Sequence, residues 1–259
     1  MWYEKLNFQF DIEKLKQEVR ESVFTLGDQV IQGKDYETPQ YHGFGGWSLL
    51  SRNSDWHDGW EAIQTEQGDT LENFLPTNEL IYKAYKYFGI AHGLEHDKPT
   101  QSYVGEIKKT IDQIKESGFY PCRVRVSCLK ASCKSLVHKD ADTSEYMARI
   151  HIPLWTNEKC VHICEGEHLH MPADGSAYMI WVNLWHQIRN DSNEDRYHII
   201  MDAYDTKKIT EHFKYEGDFN ELLSYVSDYR ENINGVDLTE DDVTFFEAIR
   251  KKYISNYNV

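Results

Sequence analysis

Apolar positions along the chain fall into three regimes. Over residues 12–23 they recur at helical spacing, and over 104–117 Val104, Ile107, Ile111 and Ile114 share one helical face that Gly118 terminates. A further helix is predicted over 78–91. Between them, Gly43, Gly45 and Gly46 punctuate residues 41–51 ahead of a strand-like stretch at 47–50, and residues 52–69 read as a polar loop. From 121 to 205 the period drops toward two and β-branched and aromatic residues dominate, predicting strands at 123–129, 146–155, 159–164, 168–172, 177–188 and 195–204. Glu165, Gly166 and Glu167 predict one hairpin turn, and Ala173 to Gly175 another. Beyond 205 a helical stripe returns through Phe219, Leu222, Leu223, Val226 and Tyr229, and Asn234-Gly235 breaks it. Thr239 with Asp242 then resembles a capping box opening a last helix through Phe246 and Ile249, whose acidic start suits the helix dipole.

Short antiparallel strands at this spacing predict a sandwich or barrel. No repeat and no Pro-, Gly- or Ser-rich linker divides the chain, so one domain is expected over 1–259. Its parts are a supporting region at 1–120, a β core at 121–205 and C-terminal helices at 206–259.

Composition narrows the function classes. The 259 residues are 40% apolar and 14% aromatic, enough for a substantial core, and a formal charge of −15 disfavours nucleic acid and anionic membrane as partners. The first ten residues lack the apolar run of a secretory signal, and no stretch is long and apolar enough for a membrane helix, so a cytoplasmic protein is expected. Cys122, Cys128, Cys133, Cys160 and Cys164 are an odd number spread through a large chain, and read as reduced thiols.

The strongest chemical signal is His138-Lys139-Asp140 at the end of a strand, followed 48 residues on by His186. Two imidazoles and a carboxylate form a facial triad that leaves the opposite face of a six-coordinate metal open, which suits non-heme Fe(II) and O₂. His138 and Asp140 project to the same side of a strand. Arg196 opens a strand whose Arg196, His198, Ile200 and Asp202 share a face, placing a guanidinium inside a barrel where it needs a carboxylate. Arg149 and His151 share another face, as do Arg123, Arg125 and Ser127. Together they supply donors for a small dicarboxylate that chelates a metal at one end and is gripped at the other.

In these residues the sequence resembles the aspartyl/asparaginyl β-hydroxylase-like branch of the Fe(II)/2-oxoglutarate-dependent dioxygenases. The family pattern is a serine eleven residues before the first metal histidine, an Arg-x-His strand, and a second histidine with an arginine ten residues later and an aspartate six beyond. Here it reads Ser127, His138, Arg149 with His151, His186, Arg196 and Asp202. The resemblance implies an α+β protein with a double-stranded β-helix core, jelly-roll and cupin-like, flanked by N- and C-terminal helices. It implies Fe(II), 2-oxoglutarate and O₂, with His138, Asp140 and His186 as metal ligands. Arg196 with Ser127 would bind the far carboxylate of 2-oxoglutarate, and Arg149 with His151 its chelating end. The vertebrate members carry Gly where this chain has Asp140, whereas similar bacterial amino-acid hydroxylases keep the carboxylate. Asp140 therefore favours the full triad and argues against a halogenase. The implied reaction hydroxylates an unactivated C–H bond of an amino acid, an amino-acid-derived small molecule or a peptidyl Asp or Asn, releasing succinate and CO₂. Desaturation and epimerisation share its oxidising step.

Weaker signals sit around this core. Arg125 is a candidate for a substrate carboxylate, and His42, in the Gly-rich loop, for covering the site. Cys160, His162 and Cys164 share a strand face, but the spacing lacks the paired Cys-x-x-Cys turns of structural zinc and reads as two half-buried strands. Trp47, Trp155, Trp181 and Trp185 read as core or rim packing. An alternative of another class is a cupin-like protein that binds a metal and a 2-oxo acid without oxygenase turnover.

Overall fold

The computed structural model describes residues 2–26, 43–56, 96–135, 137–138, 147–182, 184–205 and 235–253, together with Leu80, Lys83, Ala84 and Tyr87. The chain opens with strand β1 (Tyr3–Leu6) and helix α1 (Ile12–Leu26), followed by β2 (Phe44–Ser48), β3 (Leu50–Ser51), β4 (Lys98–Pro99) and helix α2 (Gly105–Glu116). Seven strands follow: β5 (Phe119–Leu129), β6 (Met147–Trp155), β7 (Cys160–Cys164), β8 (Glu167–His170), β9 (Ala177–Ile180), β10 (His186–Asn190) and β11 (Arg196–Asp205). Helix α3 (Glu240–Tyr253) closes the described chain.

Two antiparallel sheets form the core. The larger runs β1-β9-β6-β11-β5-β2 and the smaller β10-β7-β8. Bridges Lys134↔Arg189 and His138↔His186 set Lys134 and His138 along the free edge of β10, as a fourth row of the smaller sheet. Successive strands thus alternate between sheets until β7 and β8 pair, after which the chain winds back. This is the double-stranded β-helix.

One face of the large sheet is apolar and the other polar, as a period of two requires. Val124, Val126, Ile150, Ile152, Leu154, Ile199 and Met201 form the outer layer against Leu15 and Val19 of α1 and Ile107, Ile111 and Ile114 of α2. Burial of these side chains is the main stabilising term. Val104 offers α2 no side-chain cap, and Glu18 of α1 takes that role, accepting from the Glu106 and Ile107 amides at 2.6 and 2.9 Å. The inner face carries Arg125, Ser127, His151, Arg196, His198 and Asp202, all buried.

Most predicted elements stand where the pattern places them, with corrections. The predicted strand 177–188 is two strands, β9 and β10, in different sheets, because the chain turns within a largely apolar run that carries no Gly or Pro. The strand expected at 47–50 begins at Phe44, where Gly46 takes φ 143° beside Val126. Strand β1 has no counterpart in the prediction. The turn after β7 has positive φ at Glu165 (50°) and Gly166 (85°), and both residues of a type I′ hairpin require this. Gly118 takes φ 97° behind α2. Thr239 and Asp242 form the capping box, each accepting the other's backbone N–H at 3.1 and 2.9 Å. That Asp242 carboxyl, pulled by the Thr239 amide and by Lys83, sits at about 2. Lys83 meets it at 3.0 Å and Tyr87 stacks on Phe246, so the described positions of the helix predicted at 78–91 pack on α3. The stripe at 219–229 lies outside the described residues. All five cysteines are free thiols.

Candidate active site

The smaller sheet brings His138 and His186 together. Each backbone N–H donates to the other's carbonyl, at 2.9 and 2.8 Å, and the imidazole centroids are 4.3 Å apart. Both rings are buried. Nδ1–H of His186 donates to the Leu184 carbonyl at 2.9 Å, because a carbonyl can only accept, and the lone pair of this tautomer is on Nε2. Two imidazoles held in this way could hold a divalent metal. Among the described residues no three of His, Cys, Asp or Glu are grouped to do so, and Asp140 lies outside those residues, as does His42.

Arg196 enters at the other end. Strand β10 leads away from His186 to Asn190, and a turn then delivers Arg196 to the start of β11. Its side chain is 3% exposed, and no carboxylate among the described residues pairs with it. The guanidinium rests on His198, Nη2 2.7 Å from Nδ1 and Nε 3.1 Å from Nε2, and burial pushes its pKa down to about 10. A guanidinium only donates and a neutral imidazole accepts at one nitrogen, so His198 is neutral and one of these two contacts is the hydrogen bond. Ser127 is buried on the neighbouring strand, in register with His198. His198 faces His151, Nδ1 to Nδ1 at 3.4 Å, and Nε2 of His151 has no hydrogen-bond partner among the described residues. Burial first, then neighbouring positive charge, drives the pKa values of His151 and His198 well below the usual histidine value.

A third group lies further along β11. Arg149 Nε meets Asp202 Oδ1 at 3.0 Å, and Arg123 Nη1 lies 3.4 Å from Oδ2. Burial alone would raise the Asp202 pKa, but Arg149, Arg123 and Arg125 outweigh it and hold the carboxyl below its ordinary range. Arg123 has φ 47°, at a bulge where the β5–β11 register shifts between Ile200 and Asp202. Its displaced N–H donates to the His96 carbonyl at 3.0 Å. Arg125 Nη1 donates to the Arg123 carbonyl at 3.1 Å.

The family model for aspartyl/asparaginyl beta-hydroxylase matches residues 49–206, more than half of the chain. The chain belongs to the aspartyl/asparaginyl β-hydroxylase family. That membership agrees with the cupin-like fold described above. No curated protein matches the sequence. Among solved structures, a 2OG-Fe(II) oxygenase family oxidoreductase from Burkholderia pseudomallei is 12% identical, with a TM-score of 0.32 over 39% of this chain and 59% of the other. AviO1 from Streptomyces viridochromogenes is 10% identical, with a TM-score of 0.41 over 79% and 90%. A Pseudomonas putida prolyl-4-hydroxylase is 9% identical, with a TM-score of 0.35 over 78% and 92%. These are loose likenesses, and the chain spans about three fifths of the Burkholderia protein.

Of the predicted site residues, the β-hydroxylase fold thus gathers His138, His186, Ser127, Arg149, His151, Arg196 and Arg125 into one interior. Trp47 is core, Trp155 and Trp181 pack against it, and Trp185 is exposed. Sequence reasoning gave His198 no role beyond its strand face, and read His162 only as a half-buried strand residue. Trp2, whose ring lies 5.4 Å from that of His162, carries no local signal at all. Among the described residues no helix is long and apolar enough to cross a membrane.

Proposed function

We propose that this protein is an Fe(II)/2-oxoglutarate-dependent dioxygenase that hydroxylates an unactivated C–H bond of an amino acid, an amino-acid-derived small molecule or a peptidyl Asp or Asn. The observation that carries the reading is Arg196, a buried guanidinium without a carboxylate partner among the described residues, in the same barrel as the paired imidazoles of His138 and His186. A buried charge of this kind costs several kcal/mol, of the order of ~3 or more, unless an anion joins it. A dicarboxylate with one end on a metal supplies that anion.

The residues fit the group. His138 and His186 would hold the metal, with Asp140 as third ligand, and the Leu184 carbonyl fixes the tautomer of His186. Arg196 with Ser127 would bind the far carboxylate of 2-oxoglutarate in a pocket shielded from water, where a charge-assisted hydrogen bond is strongest. Arg149 and His151 would stand at the chelating end, and the Nε2 of His151, which has no partner among the described residues, is a group that the co-substrate would satisfy. Arg125 and His42 would face the substrate. Bound Fe(II) supplies the activation of O₂, coupled to decarboxylation of the 2-oxo acid to succinate and CO₂. The chain itself orients, excludes water and fixes the ligand tautomers.

The test is succinate formation with Fe(II), 2-oxoglutarate and O₂, with and without candidate amino acids, in the wild type, His138→Ala and Arg196→Ala. Turnover only in the wild type is expected. Equal turnover in all three rejects the reading, and tight 2-oxoglutarate binding without succinate favours a binding or sensing protein.

A further inference from the structure

His162 lies at the centre of β7, facing the interior together with Cys160 and Cys164, and is 1% exposed. Neither of its ring nitrogens has a hydrogen-bond partner among the described residues. Its ring has two ring neighbours: His186 stacks on it at 5.0 Å with planes 24° apart, and Trp2 approaches at 5.4 Å. Trp2 is itself tied by its indole N–H to Glu167 at 2.9 Å. With neighbouring rings at 24° and 38° to its own, the imidazole keeps its plane, and its edge carries the two nitrogens. Across the barrel, 6.0 Å away between centroids, stands His151, whose Nε2 is also without a partner among the described residues.

A histidine that served only to pack the core would have at least one of its nitrogens satisfied, since burying a donor and an acceptor without partners opposes folding. Two adjacent imidazoles from opposite sheets, with nitrogens that have no partner among the described residues, outline a polar compartment beside a proposed metal ligand. His162 is not grouped with His138 and His186 to hold a metal, and its stacked orientation presents a ring face to His186.

We propose that His162 is an additional binding residue for the 2-oxo acid, its ring N–H donating to the co-substrate from the smaller sheet opposite His151. This rests on the reading of the site as a 2-oxoglutarate site, and it adds a contact from β7 to those made by β5, β6 and β11. Trp2 then acts as a positioning residue, since the ring that holds His162 in plane comes from the N-terminal end of the chain.

The test is calorimetric titration of 2-oxoglutarate into the full chain loaded with Mn(II), comparing the wild type, His162→Phe and His162→Gln, with Mn(II) affinity and metal-free melting temperature measured alongside. His162→Phe is expected to weaken 2-oxoglutarate binding about tenfold or more. Its Mn(II) affinity should stay within about twofold and its melting temperature should equal or exceed that of the wild type, while His162→Gln, which keeps an N–H donor, recovers part of the lost affinity. Unchanged 2-oxoglutarate affinity in His162→Phe overturns the proposal, and so does a loss of Mn(II) affinity, which would make His162 a ligand. If His162→Phe does not fold, the wild type with ¹⁵N-labelled histidine decides: adding 2-oxoglutarate must move the ring resonance that is missing from His162→Gln, and no movement overturns the proposal. Failure of the wild type to bind 2-oxoglutarate sinks the site reading and this proposal together, whereas wild-type binding with an indifferent His162→Phe sinks this proposal alone.

Discussion

Arg149 and Asp202 are register partners on β6 and β11 and meet at 3.0 Å, with Arg123 on the other carboxylate oxygen at 3.4 Å. One carboxylate therefore compensates more than one buried guanidinium. Removing its charge takes this partner away from both, which costs about 3–5 kcal/mol for a buried pair. Asp202→Asn should lower stability by that order in urea unfolding. The pKa of Asp202 is depressed in the folded state, so its contribution is complete above the unfolded value, ~3.9, and is lost as pH falls toward the folded one. The stability gap between wild type and Asp202→Asn should therefore be constant from pH 7 to 5 and shrink below about pH 4.

His151 and His198 behave in the same direction at a higher pH. Burial holds both neutral, with folded pKa values well below the ordinary value. The unfolded chain protonates them near pH ~6.5, so their effect is absent above that pH and stability is lost below it, by about 1.4 kcal/mol per histidine per pH unit. Unfolding of the metal-free protein at pH 7.5 and 5.5 checks this, and replacing His198 by Phe should flatten the dependence.

Two glycines with positive φ separate backbone strain from steric exclusion. At Gly166, in the β7–β8 turn, a Cβ meets nothing within 4 Å, so Gly166→Ala should cost only the conformational penalty, about 1–2 kcal/mol. At Gly46 a Cβ would lie 1.9 Å from the Val126 carbonyl oxygen of the paired strand. Gly46→Ala should lose more stability than Gly166→Ala in the same denaturation assay, because β2 must move off β5 beside Ser127.

Much of this architecture was legible in the sequence because the large sheet is covered on one side only by apolar helices. That makes β5, β6 and β11 alternate cleanly, and the same alternation puts Arg196, His198 and Asp202 on one face. The signal fails where that physical situation changes. From Ala177 to Ile188 the run stays largely apolar through a corner, so hydrophobicity alone cannot mark where β9 ends. Strand β1 reads Tyr-Glu-Lys-Leu, an edge strand paired with β9 among the described residues, and its exposed charges give no core-facing pattern. Lys134 and His138 join the smaller sheet through isolated bridges, and the spacing of His138 and His186 revealed their meeting better than any strand propensity.

The site was legible to the extent that its residues share strand faces or match the family spacing. His162 escaped because its importance lies in what surrounds it: a buried histidine with satisfied nitrogens and one without look identical in sequence. Trp2 escaped because it meets His162 from the far end of the chain. The bulge at Arg123, which turns that backbone to φ 47°, follows from the His96 carbonyl taking its N–H, a contact with no local signature.

Arg196 should also reveal itself in stability. Replacing a buried guanidinium that no described carboxylate pairs with by Met removes a desolvation cost, so metal-free Arg196→Met should be as stable as the wild type or up to about 1–3 kcal/mol more so. Chemical denaturation without 2-oxoglutarate checks this. A marked loss of stability would mean that the guanidinium has a structural partner.

The most direct measurement is the affinity of 2-oxoglutarate for the Mn(II)-loaded protein, in the wild type and in Arg196→Met. If Arg196 receives the far carboxylate, binding should weaken by about a hundredfold or more, in line with ~3 kcal/mol for a charged hydrogen-bonded pair, while Mn(II) binds both proteins equally. Equal 2-oxoglutarate affinity in the two proteins would contradict the account.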